Sequence, residues 1–264
     1  MKKEFKQYIG ILSTVILTMI FVVASKIGLK IFEGAAWYLF SSFLRIIFGC
    51  IAIFLLNKLY GRSLKSIFTN HSPKAALISG VGFAIYALYF LIAILLGYIP
   101  IKITGLTLTL FLSQIILQQV TTGFCEEALN RGLLLEGYFC TNMSRISKVI
   151  YALISFLLFG LIHVTSGWDT YTFLYTGTIG FAFATIYLNT HNLILPMIMH
   201  FIYDIFANIV YYMEFNDSVI FNTFYSVNEV MIGIMFVVSL AMLLKDKRCR
   251  MHANNRLSKL KFIM

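Results

Sequence analysis

Two adjacent glutamates, Glu126 and Glu127, followed by Arg131, stand at the end of an apolar run from Leu106 to Phe124. Downstream, His163, His200 and Asp204 interrupt two further apolar runs. An ionisable side chain in hydrocarbon costs about 2.5–3.5 kcal/mol on insertion scales, so such residues are rare and read first as functional. Glu127 and Arg131 are four residues apart with the acid first, the favourable order for an ion pair on one helical face. Glu126 points about 100° away from Glu127 on the same helix. One glutamate can therefore be neutralised by Arg131 while its neighbour faces another helix. His200 and Asp204 share a face by the same spacing, and His163 comes from a separate run, one turn after Phe159.

These residue types can activate water. A carboxylate in a dry site can serve as general base near neutral pH. A histidine can hold or shuttle the proton, and a second histidine with a hydrogen-bonding neighbour can polarise a carbonyl and stabilise an oxyanion. Together they are the parts of a hydrolase that needs no covalent nucleophile. Taken singly, each has a plainer reading. A lone Glu–Arg pair is as readily a structural ion pair, a lone His200 is as readily satisfied by a neighbouring backbone, and Phe159 is simplest as a packing residue. Arg45 can snorkel or meet lipid headgroups and is given no catalytic role. Of the seven ionisable residues well inside apolar runs, all but Arg45 fall on three of the runs, which favours one shared, partly hydrated cavity.

The elements that must position these groups are membrane helices. Of the 264 residues 59% are hydrophobic and 12% charged, too few charges for a soluble surface of this size. Runs of about 20 apolar residues recur and predict an all-α, polytopic helical membrane protein with about eight transmembrane helices. The expected spans are Tyr8–Ala24, Ala35–Leu59, Ala75–Ile99, Leu106–Cys125 with a helical continuation through Ala128–Cys140, Val149–Thr165, Thr172–Asn189, Leu193–Met213 and Glu229–Leu244. The first run is long for a signal-peptide core and is read as a span. Gly177 and Gly180 give the sixth span a small-residue face suited to close packing. Glu214–Asn228 reads as an acidic loop. Residues 1–264 form a single integral membrane domain on this reading. By helical rise, His200 lies about 10 Å into its span and His163 about 21 Å into its own, depths that disagree for one shared site.

The formal net charge of +10 is not the footprint of a nucleic-acid protein, because the cations gather at alternate span ends. Lys2, Lys3, Lys6, Lys58, Arg62, Lys65, Lys74, Arg145, Lys148 and the basic tail from Lys245 fall on one side, and Lys26, Lys30 and Lys102 on the other. This bias predicts cytosolic N- and C-termini in a cytoplasmic membrane. Cys50, Cys125, Cys140 and Cys249 show no C-x-x-C spacing, so neither a disulfide framework nor a cysteine metal site is expected. No internal repeat suggests an inverted-repeat transporter.

The three motifs E-E-x-x-x-R (Glu126, Glu127, Arg131), F-x-x-x-H (Phe159, His163) and H-x-x-x-D (His200, Asp204) resemble, in order and separation, the CPBP family, also called Abi. That family comprises the type II CAAX prenyl proteases and bacteriocin-processing or bacteriocin-immunity proteins. The resemblance covers a catalytic core at about residues 119–211. It implies an eight-helix intramembrane endopeptidase with a cavity open toward the cytosol. It implies that Glu126 and His163 activate the attacking water, that His200 and Asp204 form the oxyanion side, and that Glu127, Arg131 and Phe159 support them. In the prenyl proteases the last position is most often Asn. An ionised Asp204 cannot donate to an oxyanion; it does so only when protonated, or it orients His200 instead. No H-E-x-x-H zinc motif is present. A mechanism without a cofactor is favoured, with zinc held by Glu126, His163 and His200 as the alternative. The expected partners are a peptide or lipidated-peptide substrate and the lipid bilayer, with no nucleic acid. The alternative functions are a non-catalytic immunity or peptide-binding protein of the same fold and, more distantly, a proton-coupled transporter using Glu126 and Glu127.

Overall fold

Where water is absent, a backbone must satisfy its own hydrogen bonds, and this chain does so entirely through helices among the described residues. A computed structural model describes residues 3–68, 73–97, 105–141, 143–209, 212 and 218–245. The elements are α1 (Lys3–Gly28), α2 (Gly34–Tyr60), the short α3 (Leu64–Phe68), α4 (Pro73–Leu95), α5 (Leu108–Phe139), α6 (Arg145–His163), α7 (Thr170–Thr190), α8 (Ile194–Ile209) and α9 (Ser218–Lys245). Eight of these are long. Phe5–Gly28, Gly34–Tyr60, Leu108–Phe139 and Arg145–His163 are long and apolar enough to cross a membrane, and Ile194–Ile209 and Glu229–Leu244 are shorter apolar segments. The chain is an all-α, multi-pass membrane protein.

Several sequence-based boundaries shift by a few residues, and one loop becomes helix. The stretch read as an acidic loop before the last span is helical from Ser218 onward. No glycine or proline interrupts residues 218–232, and the apolar residues from Val219 to Tyr225 extend the helical pattern. The polar loop after α2 contains α3. The basic tail after Lys245, Lys2, Lys74's side chain, Lys102, Glu214, Asp217 and Cys249 lie outside the described residues, and Cys50 and Cys125 form no disulfide among the described residues.

α5 is the axis of the bundle. From Glu127 to Tyr138 every residue is buried. α1 runs beside it, with Thr14 Oγ1 donating to Leu129 O at 3.1 Å. α2 packs on another side, where Gly49 accommodates the ring of Phe124. α6 and α7 pack closely through the small-residue face expected on α7: Gly177 lies against Phe156 and Gly180 against Phe159. α9 covers α7 through Phe181 and Phe236, whose rings are 4.8 Å apart.

The turn between α7 and α8 is anchored below the bundle surface. Leu193 N donates to Ile67 O at 3.1 Å, and Asn192 Nδ2 donates to Phe68 O at 3.1 Å. Asn192 Oδ1 caps α8 by accepting from Ile194 N at 2.9 Å. α6 begins nearer the surface, at Arg145 after the Ser144 cap. The Phe159 ring lies 5.8 Å from that of His200 and 4.6 Å from that of His163, so both histidines border one aromatic side chain.

Gly123 sets the α5–α8 distance. A Cβ there would lie 2.9 Å from Met197 O, a backbone atom that moves only with the whole of α8. Gly123→Ala is expected to lower stability by about 1–3 kcal/mol, the usual cost of overpacking. Gly233→Ala, with nothing within 4 Å of the added carbon, should cost nothing. Thermal unfolding of the two variants in detergent micelles checks the contrast, and equal midpoints would show that α8 yields freely.

Candidate active site

Glu126, Glu127 and Arg131 stand on α5, where the helix widens from Ala128 to Leu133 into i→i+5 turns. Such widened turns are frequent at functional sites. Asn130 Nδ2 donates to Glu126 O at 3.0 Å. Arg131 Nε lies 2.9 Å from Glu127 Oε2, and neither side chain is exposed at all. The contact is Coulombic rather than a well-aligned hydrogen bond, because no guanidinium nitrogen of Arg131 has a hydrogen-bond partner among the described residues. Two aromatic faces take the rest of the cation: the guanidinium carbon is 4.6 Å from the Phe159 ring centroid and 5.3 Å from that of Phe183. The negative faces of these rings attract the charge, so Phe159 does more than fill space.

His200 arrives from α8 and completes the far side of Glu127. Its Nδ1 is 2.8 Å from Glu127 Oε1. An ionised carboxylate only accepts, so Nδ1 carries the hydrogen and the ring is held in one orientation. The ring also stacks on Phe183 at 5.1 Å. Nε2 then points between two carboxylates, 3.5 Å from Asp204 Oδ2 and 3.9 Å from Glu126 Oε2. Both separations exceed a good hydrogen bond but allow strong charge interaction. Glu126 accepts no side-chain hydrogen bond among the described residues.

His163 closes α6. Its Nδ1 is 2.8 Å from Phe159 O, and a carbonyl cannot donate, so the lone pair is left on Nε2. Among the described residues no ion pair joins His163 to Glu126. Exposure rises through the site. Glu127 and Arg131 have none, the His200, Asp204 and Glu126 side chains have 4%, 14% and 20%, and His163 is exposed. The site therefore opens toward the α6–α7 turn, where Lys26 Nζ donates to Thr165 O at 3.2 Å. The buried stretch of α5 from Glu127 to Tyr138 closes it toward the other end.

Residues 107–206 match the sequence family of type II CAAX prenyl endopeptidase Rce1-like proteins. The matched stretch contains the three motifs, and the description is that of a protease family. Its description implies a prenylated peptide substrate and a membrane setting. No curated protein and no solved structure matches the chain.

Among the described residues no three His, Cys, Asp or Glu side chains form a group that fits a metal ion. His200 has one nitrogen committed to Glu127 and the other 3.9 Å from Glu126.

A second polar cluster escaped the sequence reading. Glu136, on the helical continuation of the fourth span, is 4% exposed. It accepts from Tyr187 Oη at 2.6 Å and meets Arg62 at 3.2 Å and His191 at 3.0 Å. Arg62 also contacts His191 and donates to Ser66 O at 2.6 Å. Lys148 is likewise buried, donating to Asn189 Oδ1 at 2.7 Å. Arg62 and Lys148 are thus partnered interior cations rather than free surface charges. The partners are more than 40 residues apart in the chain, so no local spacing announces them.

This arrangement separates the two glutamates. Arg131→Ala leaves Glu127 buried against His200 without its cation, a loss of about 3–5 kcal/mol, and should strip folded protein from membranes. Glu126→Gln should leave the protein level intact. Quantitative immunoblotting and detergent-solubilised unfolding curves compare them, and an equal loss in both would contradict the division.

Proposed function

We propose that this protein is an intramembrane endopeptidase that cleaves a membrane-associated peptide or protein with water activated by Glu126. The observation that carries the reading is the contrast within the pair: Glu127 is consumed by Arg131 and His200, whereas Glu126 is partly exposed beside His200 Nε2. Glu126 takes a proton from water as its oxygen attacks the scissile carbonyl. His163 Nε2 accepts the second hydrogen bond of that water. His200, protonated on both nitrogens, donates from Nε2 to the oxyanion while Glu127 holds its other side. Glu126 then passes its proton to the departing amine, and the peptide bond breaks. Asp204 orients His200 or, when protonated, donates beside it. Residues 119–211 act as the catalytic core of a single domain. Peptide maturation, bacteriocin self-immunity and CAAX-type processing are the roles that suit such an enzyme.

Glu126→Gln keeps size and polarity but cannot act as base. It should cut at least ~100-fold more slowly, the lower range for loss of general-base catalysis, while still binding peptide. Asp204→Asn should retain substantial activity. Peptide mass spectrometry of membranes from cells producing wild type or Glu126→Gln shows which products disappear. If zinc activates the water instead, chelation abolishes cleavage and added Zn²⁺ restores it. Wild-type rates in Glu126→Gln would remove Glu126 from the reaction, and undiminished cleavage by protein shown metal-free by elemental analysis would remove zinc.

We also propose that both termini are cytosolic, on the charge bias of the loops. The α6–α7 turn then faces away from the cytosol, and so does the open end of the site, opposite to the cytosolic cavity that the family resemblance implies. Ser166→Cys, placed in the exposed turn of a cysteine-free variant, should react with an impermeant maleimide in intact cells. Labelling only after lysis would reverse the orientation.

A further inference from the structure

A cleft of about 450 Å³ between α1 and α6 takes no part in the reaction above. Val15, Met19 and Val22 form one wall and Leu158, Leu161 and Ile162 the other. Two of its lining residues carry a buried polar atom without a hydrogen-bond partner among the described residues. Asn130 lines the cleft and is 3% exposed. Its Nδ2 is committed to the Glu126 carbonyl, which can only accept, so the amide cannot be turned around. Its Oδ1 is therefore a fixed acceptor, and it has no hydrogen-bond partner among the described residues. Thr18 Oγ1, in the α1 wall, has none either. A buried acceptor without a donor is costly, and mostly apolar walls with a few directed polar groups characterise ligand sites.

The missing donor selects the occupant. A lipid tail fits the walls but brings no donor to this depth. An intact helix keeps its N–H groups for itself beyond the first turn. An extended peptide offers an N–H at every residue. We propose that the α1–α6 cleft holds an apolar peptide segment in extended form, with one main-chain N–H donating to Asn130 Oδ1. The proposal rests on the protease reading and deepens it. Asn130 is tied to the carbonyl of Glu126, so a segment registered on Asn130 is registered against the carboxylate that activates water. A helical substrate must also unwind before a peptide bond can be attacked, and a cleft that rewards free N–H groups favours the unwound form.

The test measures binding without turnover. Glu126→Gln protein in lipid nanodiscs is titrated with a fluorescent peptide of leucine and alanine and with analogues each carrying one backbone N-methyl group. One analogue should bind about tenfold more weakly, the effect of one lost hydrogen bond to a buried acceptor. That difference should vanish when Asn130→Leu is added. Val22→Trp, which fills the cleft, should abolish binding. If Asn130→Leu fails to fold, Thr18→Val and Val22→Trp carry the test from the α1 wall. Equal affinity for every analogue, or unchanged binding in Val22→Trp, overturns the proposal. So does native mass spectrometry in which Val22→Trp displaces a bound phospholipid while peptide affinity stays the same. N-methyl-sensitive binding by wild-type protein that never cleaves would remove the protease reading and leave the cleft as a peptide site. Cleavage at full rate by Val22→Trp would do the reverse.

Discussion

A guanidinium with no access to water is the constraint around which this bundle is built. Arg131 cannot shed its charge at any accessible pH, so burial on α5 demands compensation from whatever packs against it. One carboxylate, Glu127, supplies the Coulombic part, and Phe159 and Phe183 supply ring faces from α6 and α7. Three helices are thereby committed to one point. His200 adds the fourth, because Glu127 has a second oxygen facing α8. A buried ion pair of this kind is weak evidence for stability, since desolvation offsets much of the attraction. Its effect is geometric: displacing any of the four helices strands a charge.

That geometry is reached only because the backbones come close. Gly123 lets α5 meet α8 at Met197, and Gly180 lets α7 meet α6 at Phe159. In a membrane, packing of this kind replaces the hydrophobic effect as the force between helices. At the opposite end, Glu136, Arg62, Tyr187 and His191 tie α5 to the α7–α8 turn. The turn fixes where α8 starts, and hence how far His200 reaches. The two buried polar clusters thus hold α8 at two heights, one through the imidazole itself and one through the residues that precede the helix.

Helix type and the polar constellation were legible in the sequence for a physical reason. Apolar runs of membrane length have few alternatives, and charges inside them stand out against hydrocarbon. Four-residue spacing also carries direct contact information, which is why the Glu127–Arg131 pair could be read from the chain. The α9 start was misread because Asn222 and Asn228 diluted hydropathy without breaking the helix. The Glu136 cluster was not legible because its partners sit in the α2–α3 and α7–α8 loops and on α7, and only the folded chain brings them together. The distance between His163 and Glu126 belongs to the same class. Their presence follows from motif spacing, but their separation depends on where α6 begins and how it leans.

In the proposed reaction, an aspartate at position 204 places the oxyanion donation on His200. With asparagine, two neutral or cationic donors can face an oxyanion; with an ionised aspartate, only the imidazole can. In the proposed reaction His200 must then donate from Nε2, which requires a proton on each ring nitrogen. Glu127 binds the first of these and is itself balanced by Arg131, while Glu126 and Asp204 lie on either side of the second. The ring stands among three carboxylates, and in the proposed reaction the one negative charge left uncompensated among them is neutralised when Glu126 accepts the proton of water. On this proposal the donor that an asparagine at 204 would supply is replaced by the imidazole that Glu127 holds in place.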